Sequence, residues 1–206
     1  MTSEERREQR YQRRKAARLK KRQETIGEYD DFERVASLNS LYEAAREASK
    51  GVDWKASVQR YNSLLLFNIS KTRAELLAGK DIRRGFICFD ICERGKLRHI
   101  KSVHFSERVV QKSFCTNIIY PTFTRSLIYD NGASQQGKGT QFATNRLTTH
   151  LRRHFRKYGR EGGILLIDFS DYFGNVAHEP LFEIYRQIFT DPRVIALGMS
   201  FISAFG

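Results

Sequence analysis

Two aspartates three residues apart, Asp168 and Asp171 in the stretch ILLIDFSDYFGNVAHEPL, are the residues of this chain best suited to metal-assisted chemistry. Asp168 closes GGILLID, a short apolar run after glycines that predicts a strand buried on at least one face, with the carboxylate where the strand emerges. A carboxylate is costly to bury alone, so this one calls for a cation or a capping role. Mg²⁺ takes one or two protein carboxylates and completes its shell with phosphate oxygens and water, which makes one aspartate at a strand end half of a site. The competing reading is that Asp168 or Asp171 caps the turn that follows. A standalone Mg²⁺ phosphohydrolase built on the pair is a third, but no further Asp, Glu or His cluster stands at ligand spacing to complete it.

Cations recur on patterned elements. GFICFDICERGKLRHIKSV predicts a hairpin turning at Arg94-Gly95. Period-two alternation puts Lys96 and Arg98 on one face of its second strand, about 7 Å apart, a separation suited to neighbouring phosphates. A basic edge strand that discourages aggregation has the same pattern. In FATNRLTTHLRRHFRKYG, Leu147, Leu151, Phe155 and Tyr158 form an apolar stripe that should pack. Arg146, His150, Arg153 and Lys157 lie beside it with no interleaved acid, which favours a nucleic-acid surface over a merely solvated face. The preceding loop, GASQQGKGT, falls short of a phosphate-cradling Walker loop because Gly139 stands where Ser or Thr is required and no strand precedes it. Cys88, Cys92 and Cys115 make no zinc-ligand set and are expected to be buried thiols.

These residues need elements to position them. The chain has 206 residues, 40% of them hydrophobic, and a formal net charge of +13. Such a charge self-repels unless a polyanion offsets it. No apolar run approaches the 18 residues of a membrane span, and MTSEERREQRYQRRK lacks a signal-peptide core, so a soluble cytoplasmic protein without membrane contact is expected. Residues 1–27 form a basic arm. Its first 25 residues carry ten Lys or Arg against four Glu and too few apolar residues to build a core. LNSLYEAAREASKG predicts a helix stopped by Gly51. ASVQRYNSLLLFNISKTRAELLAGK predicts another, capped by Ser57 and ended by Gly79, and SERVVQKSFCTNIIY a third stopped by Pro121. Two more helices, punctuated by Asp191-Pro192, close the chain. Their apolar residues at 194, 195, 197, 199, 201, 202 and 205 are expected to lack full cover.

The order of these segments is more specific than any one of them. From about residue 35 onward the chain resembles the N-terminal half of prokaryotic reverse transcriptases, the group that includes retron, group II intron and phage-defence enzymes. LYEAAREASKGVDWKASVQRYN resembles the helical opening of their fingers. GKLRHIKSVHFSERVVQKSF resembles their basic hairpin strand and following helix, YDNGASQQGKGTQFATNRL their Gly-rich turn into a helix, and LLIDFSDYFGNVAH their first palm motif. The resemblance implies an α+β fold: right-hand polymerase fingers over 28–160 and the start of a palm over 161–206, mainly helical with a hairpin and the first palm strand.

It also implies roles. Asp168 would be the first catalytic metal carboxylate, with the Phe169 carbonyl a further ligand. Lys96 and Arg98 would hold the triphosphate of a deoxynucleotide, Phe173 would sit under its sugar and exclude a 2′-hydroxyl, and the backbone at Asp171 and Tyr172 would line the same pocket. The reaction would be RNA-directed DNA synthesis with Mg²⁺ on an RNA template and RNA/DNA duplex.

Gly174 departs from the family, many of whose members have Asp there. The Tyr-x-Asp-Asp hairpin that supplies the other carboxylates does not follow before Gly206. EYDDFER cannot replace it: nothing separates Tyr29 from Asp30, its flanks are charged, and it precedes Asp168, so it reads as a polar helix start. The expectation is a fragment of a truncated or interrupted frame, inactive alone and completed by a C-terminal polymerase half. The alternative is a non-catalytic RNA-binding protein derived from such an enzyme.

Overall fold

The computed structural model describes residues 2–170, 172 and 174–204. It is mainly helical with one two-stranded antiparallel hairpin, an α+β arrangement. The chain forms two compact units, 1–122 with 177–206, and 123–176.

The first unit opens with α1 (Ser3–Tyr29) and continues through α2 (Phe32–Ala36), α3 (Leu38–Ser49), α4 (Ala56–Ser63) and α5 (Leu65–Leu77). Strands β1 (Phe86–Glu93) and β2 (Lys96–Val103) follow, then α6 (Phe105–Phe114), a π-helical turn at Cys115–Ile119, and α7 (Tyr120–Phe123). Helix α8 (Thr140–Tyr158) lies in the second unit, and α9 (His178–Ile188) and α10 (Pro192–Ser203) complete the first.

Local chemistry accounts for most boundaries. Ser37 caps α3 by accepting from the Ser40 amide, and Gly79, at φ 65°, ends α5 in the left-handed region where a Cβ would be strained. Residue 57 is not a cap: α4 begins after Lys55, without a side-chain cap, and Leu64 breaks the expected single helix into α4 and α5. Pro121 does not stop its helix either. The π turn resets the hydrogen-bond ladder, so Pro121 falls in the first turn of α7, where its missing N–H is harmless.

The core of the first unit is built on α3 packed against α6. Leu41, Ala45, Val109, Val110 and Phe114 are buried, joined by Val35, Ile69, Ile118 and Phe189. The buried Ser113 hydroxyl donates to the Val35 carbonyl at 2.9 Å, so this polar group within the core is satisfied. Val194 and Leu197 of α10 are buried too, and Phe201 meets Phe114 edge-on at 5.8 Å. Cover of the C-terminal apolar residues is therefore partial, in line with the expectation that they lack full cover. The side chains at 195, 199, 201 and 202 are half-buried, and residue 205 lies outside the described residues. Gly198 makes the close α9–α10 approach possible, since a Cβ there would meet the Tyr185 ring at 2.3 Å.

A reciprocal carboxylate lock ties the two ends of this unit. Asp30 Oδ2 accepts from the Thr190 amide (2.5 Å), the Thr190 hydroxyl (2.7 Å) and the Asp191 amide (3.1 Å). Asp191 in turn accepts from the Phe32 amide at 3.3 Å and caps α10 through the Arg193 amide. Arg193 closes the lock on Glu33 at 2.8 Å, with its guanidinium 4.7 Å from the Phe32 ring centroid. EYDDFER is thus a helix junction, with Asp31 capping α2.

The second unit is different in kind. Among its described residues no side chain is buried. The apolar stripe on α8 does not pack: Leu147, Leu151, Phe155 and Tyr158 are 44–58% exposed. Nor is GGILLID a buried strand. Residues 163–169 form neither strand nor helix, and Ile164, Leu165, Leu166 and Ile167 are 66–90% exposed. A strand needs a neighbour for its backbone N–H and C=O groups, and the described residues of this unit contain no second strand to give it one.

Candidate nucleic-acid and nucleotide-binding surfaces

The hairpin turns as its sequence requires. Arg94 and Gly95 have φ of 52° and 78°, the double positive φ of a turn matched to strand twist. The register pairs Glu93 with Lys96 and Ile91 with Arg98, so Lys96 and Arg98 do share a face, together with Phe89 and Ile100. An acid shares it too: Glu93 reaches Arg98 at 3.4 Å. On the opposite face Asp90 and His99 pair at 2.5 Å. Both side chains of that pair, like those of Arg98 and Glu93, are more than half exposed, so these bonds are readily exchanged for a ligand's. Cys88 and Cys92 are exposed on this hairpin and Cys115 is exposed beyond it, which corrects the expectation of buried thiols. A two-stranded ribbon has no second layer to bury Cys88 and Cys92.

In the second unit, the loop before α8 is folded onto the helix by a cluster that spacing did not reveal. The Asp130 carboxylate takes Arg146 Nε on one oxygen and His150 Nε2 on the other, the latter at 2.6 Å. The Arg146 and His150 bonds hold the Asp130 carboxyl below its usual range, and the carboxylate in turn raises Arg146. Arg146 also lies over the Tyr129 ring at 5.0 Å. Lys138 donates to the Tyr129 carbonyl at 2.7 Å and stands 5.0 and 4.9 Å from the Tyr129 and Phe142 ring centroids. Gly132 keeps the loop close to α8: a Cβ there would come within 3.1 Å of Ala143 Cβ, so the neighbour would have to give by a few tenths of an ångström.

Half of the expected cationic stripe is therefore engaged. Arg146 and His150 serve the loop, whereas Arg153 and Lys157 lie exposed on the later turns of α8, Lys157 4.8 Å from the Tyr158 ring centroid. Arg152 and Arg156, passed over in the sequence, are exposed there as well. Arg156 and Lys157 occupy the last turn, where cations complement the helix dipole.

Asp168 is exposed at the end of the apolar segment, next to Phe169, whose ring meets Tyr172 at 6.1 Å. Asp171 and Phe173 lie outside the described residues. Among the described residues no group of three His, Cys, Asp or Glu side chains could hold a metal ion. The carboxylate of Asp168 meets the need for one ligand of a hydrated Mg²⁺, and these residues do not by themselves fit a two-ion centre.

Among the described residues no helix is long and apolar enough to cross a membrane. No protein-family model matches the chain, and no curated protein matches it.

Proposed function

We propose that the chain is the fingers and first palm portion of a reverse transcriptase, a nucleic-acid-binding component that contributes one metal carboxylate, Asp168, to RNA-directed DNA synthesis. The observation that carries the reading is the state of the second unit. An aliphatic run 66–90% exposed, ending in an exposed aspartate, has the composition of a palm strand whose sheet neighbours come from elsewhere. The apolar stripe of α8, exposed in the same unit, also calls for cover.

In this reading Arg153 and Lys157 track the backbone of an RNA template or RNA/DNA duplex, and Lys96 and Arg98 meet the triphosphate of the incoming deoxynucleotide. A C-terminal polymerase half supplies the remaining carboxylates, and Mg²⁺ supplies charge neutralisation at the transferred phosphate. A second reading, a non-catalytic RNA-binding protein, draws on the exposed cations of α1 and α8 alone.

The test is to read the coding sequence beyond codon 206, express the chain with whatever continuation carries an apolar-flanked Tyr-x-Asp-Asp, and measure deoxynucleotide incorporation on a primed RNA. The polymerase reading expects Mg²⁺-dependent incorporation that Asp168→Asn abolishes, with RNA affinity retained. Incorporation indifferent to Asp168→Asn, or no such continuation in any frame, would sink it in favour of the binder.

A further inference from the structure

Helix α1 is a surface in its own right. Every described side chain from Thr2 to Glu24 is exposed, and Thr25 and Ile26 are the first to be half-buried. Local bonds finish both ends. Thr2 and Glu5 form a reciprocal capping box (Glu5 amide to Thr2 Oγ1 3.2 Å, Thr2 amide to Glu5 Oε2 2.7 Å), and the Asp30 amide closes the last turn on Ile26 at 2.8 Å. The 27 residues make a rod about 40 Å long.

The charge on this rod is distributed by angle. Between Arg6 and Lys21 there are nine Lys or Arg and one acid, Glu8. At 3.6 residues per turn the cations cover roughly 220° of the circumference. They form two flanks, Arg6/Arg13/Lys20 and Arg7/Arg14/Arg18, roughly 120° apart, with Arg10 and Lys21 between them. Glu8 lies on the remaining arc with Gln9, Gln12 and Leu19, where Gln12 donates to Glu8 at 2.6 Å. Lys20 reaches Glu24 at 4.0 Å, an exposed pair of little worth against a phosphate.

A helix lying along one phosphate backbone uses a narrow cationic arc. Two flanks with a cation between them suit a helix that has phosphates on both sides and base edges in front. The B-form major groove, about 12 Å wide, admits a helix of 10–12 Å diameter, whereas the A-form major groove is deep and narrow. A helix embedded in a membrane interface presents an apolar stripe. Here the two large exposed apolar residues, Tyr11 and Leu19, lie roughly 80° apart with Lys15 between them. We propose that α1 seats in the major groove of duplex DNA, gripping both strands through its two cationic flanks. The proposal does not rest on polymerase activity, and its test leaves Asp168 untouched.

The experiment measures binding of the full chain by fluorescence anisotropy to duplex DNA about two helical turns long, the matching duplex RNA, and single-stranded RNA, between about 50 and 200 mM salt. Two variants remove one flank each, R6Q/R13Q/K20Q and R7Q/R14Q/R18Q. Gln is a good helix former and none of these side chains touches the core, so circular dichroism should stay unchanged. Each variant should weaken duplex DNA binding at least about tenfold and flatten the log–log salt slope by about 2 to 3. Duplex RNA affinity should change little, and the opposite-face variant Q9A/Q12A should bind DNA as the parent does. Loss from one flank only would mean that the helix lies on a single backbone. Equal losses on all three nucleic acids would mean unselective polyanion binding, and either result, or no loss at all, overturns the proposal.

Discussion

The two units of this protein carry similar raw material and make opposite use of it. In the first, α3 and α6 bury Leu41, Val109 and Val110 completely, and a carboxylate lock joins residues 30–33 to 190–193. In the second, Leu147, Leu151 and Phe155 stand at proper helical spacing on a 19-residue helix, and four aliphatic residues run consecutively at 164–167, yet none is buried. Patterning is necessary for a core but does not supply the facing surface. The first unit provides both faces from its own chain, and the second provides one.

The contrast can be broken or sharpened by substitution. The largest effect belongs to Leu41→Ala, which should cost about 3 kcal/mol by opening a cavity at a fully buried site, measured as a shift in the urea midpoint. A loss near zero would mean that the first unit is not a fixed core. Next is Asp30→Ala, which strips three hydrogen bonds from Thr190 and Asp191 and should cost about 1–3 kcal/mol in the same experiment.

The loop latch of the second unit should respond to acid in a defined direction. The folded Asp130 carboxyl is held below its ordinary value, so its stabilisation is fully present above that value and is lost as pH falls through the lower one. Proteolysis within 127–139 should therefore accelerate below about pH 4. The same loop in Asp130→Asn should be cut quickly at every pH. The smallest effect is expected of Leu166→Ser, at a side chain 90% exposed. It should move stability by less than about 0.5 kcal/mol while improving solubility, and a loss of 2 kcal/mol or more would place Leu166 in a core.

Much of the first unit could be read from the chain because its signals are local. Gly51, Gly79 and the Arg94-Gly95 turn act through backbone conformation within a few residues, and period-two alternation correctly placed Lys96 and Arg98 on one face. What escaped were interactions between distant residues. Asp30 meets Thr190 across 160 positions, and Asp130 reaches Arg146 and His150 from a loop whose sequence invites comparison only with a Walker pattern. Pro121 and Ser57 misled because a π turn and an uncapped start at Lys55 shifted the helix frame. GGILLID has the composition of a strand, but strandedness is a property of pairs. A carboxylate at its end can be named from sequence, and its partners cannot.

Hydrogen–deuterium exchange on the chain alone tests the central contrast most directly. Amides of 164–169 should exchange at the rate of an open chain, while those of α3 and α6 are retarded by orders of magnitude. Protection at 164–169 equal to that of α3 would contradict the account, because the segment would then already have the strand neighbours that the second unit is held to lack.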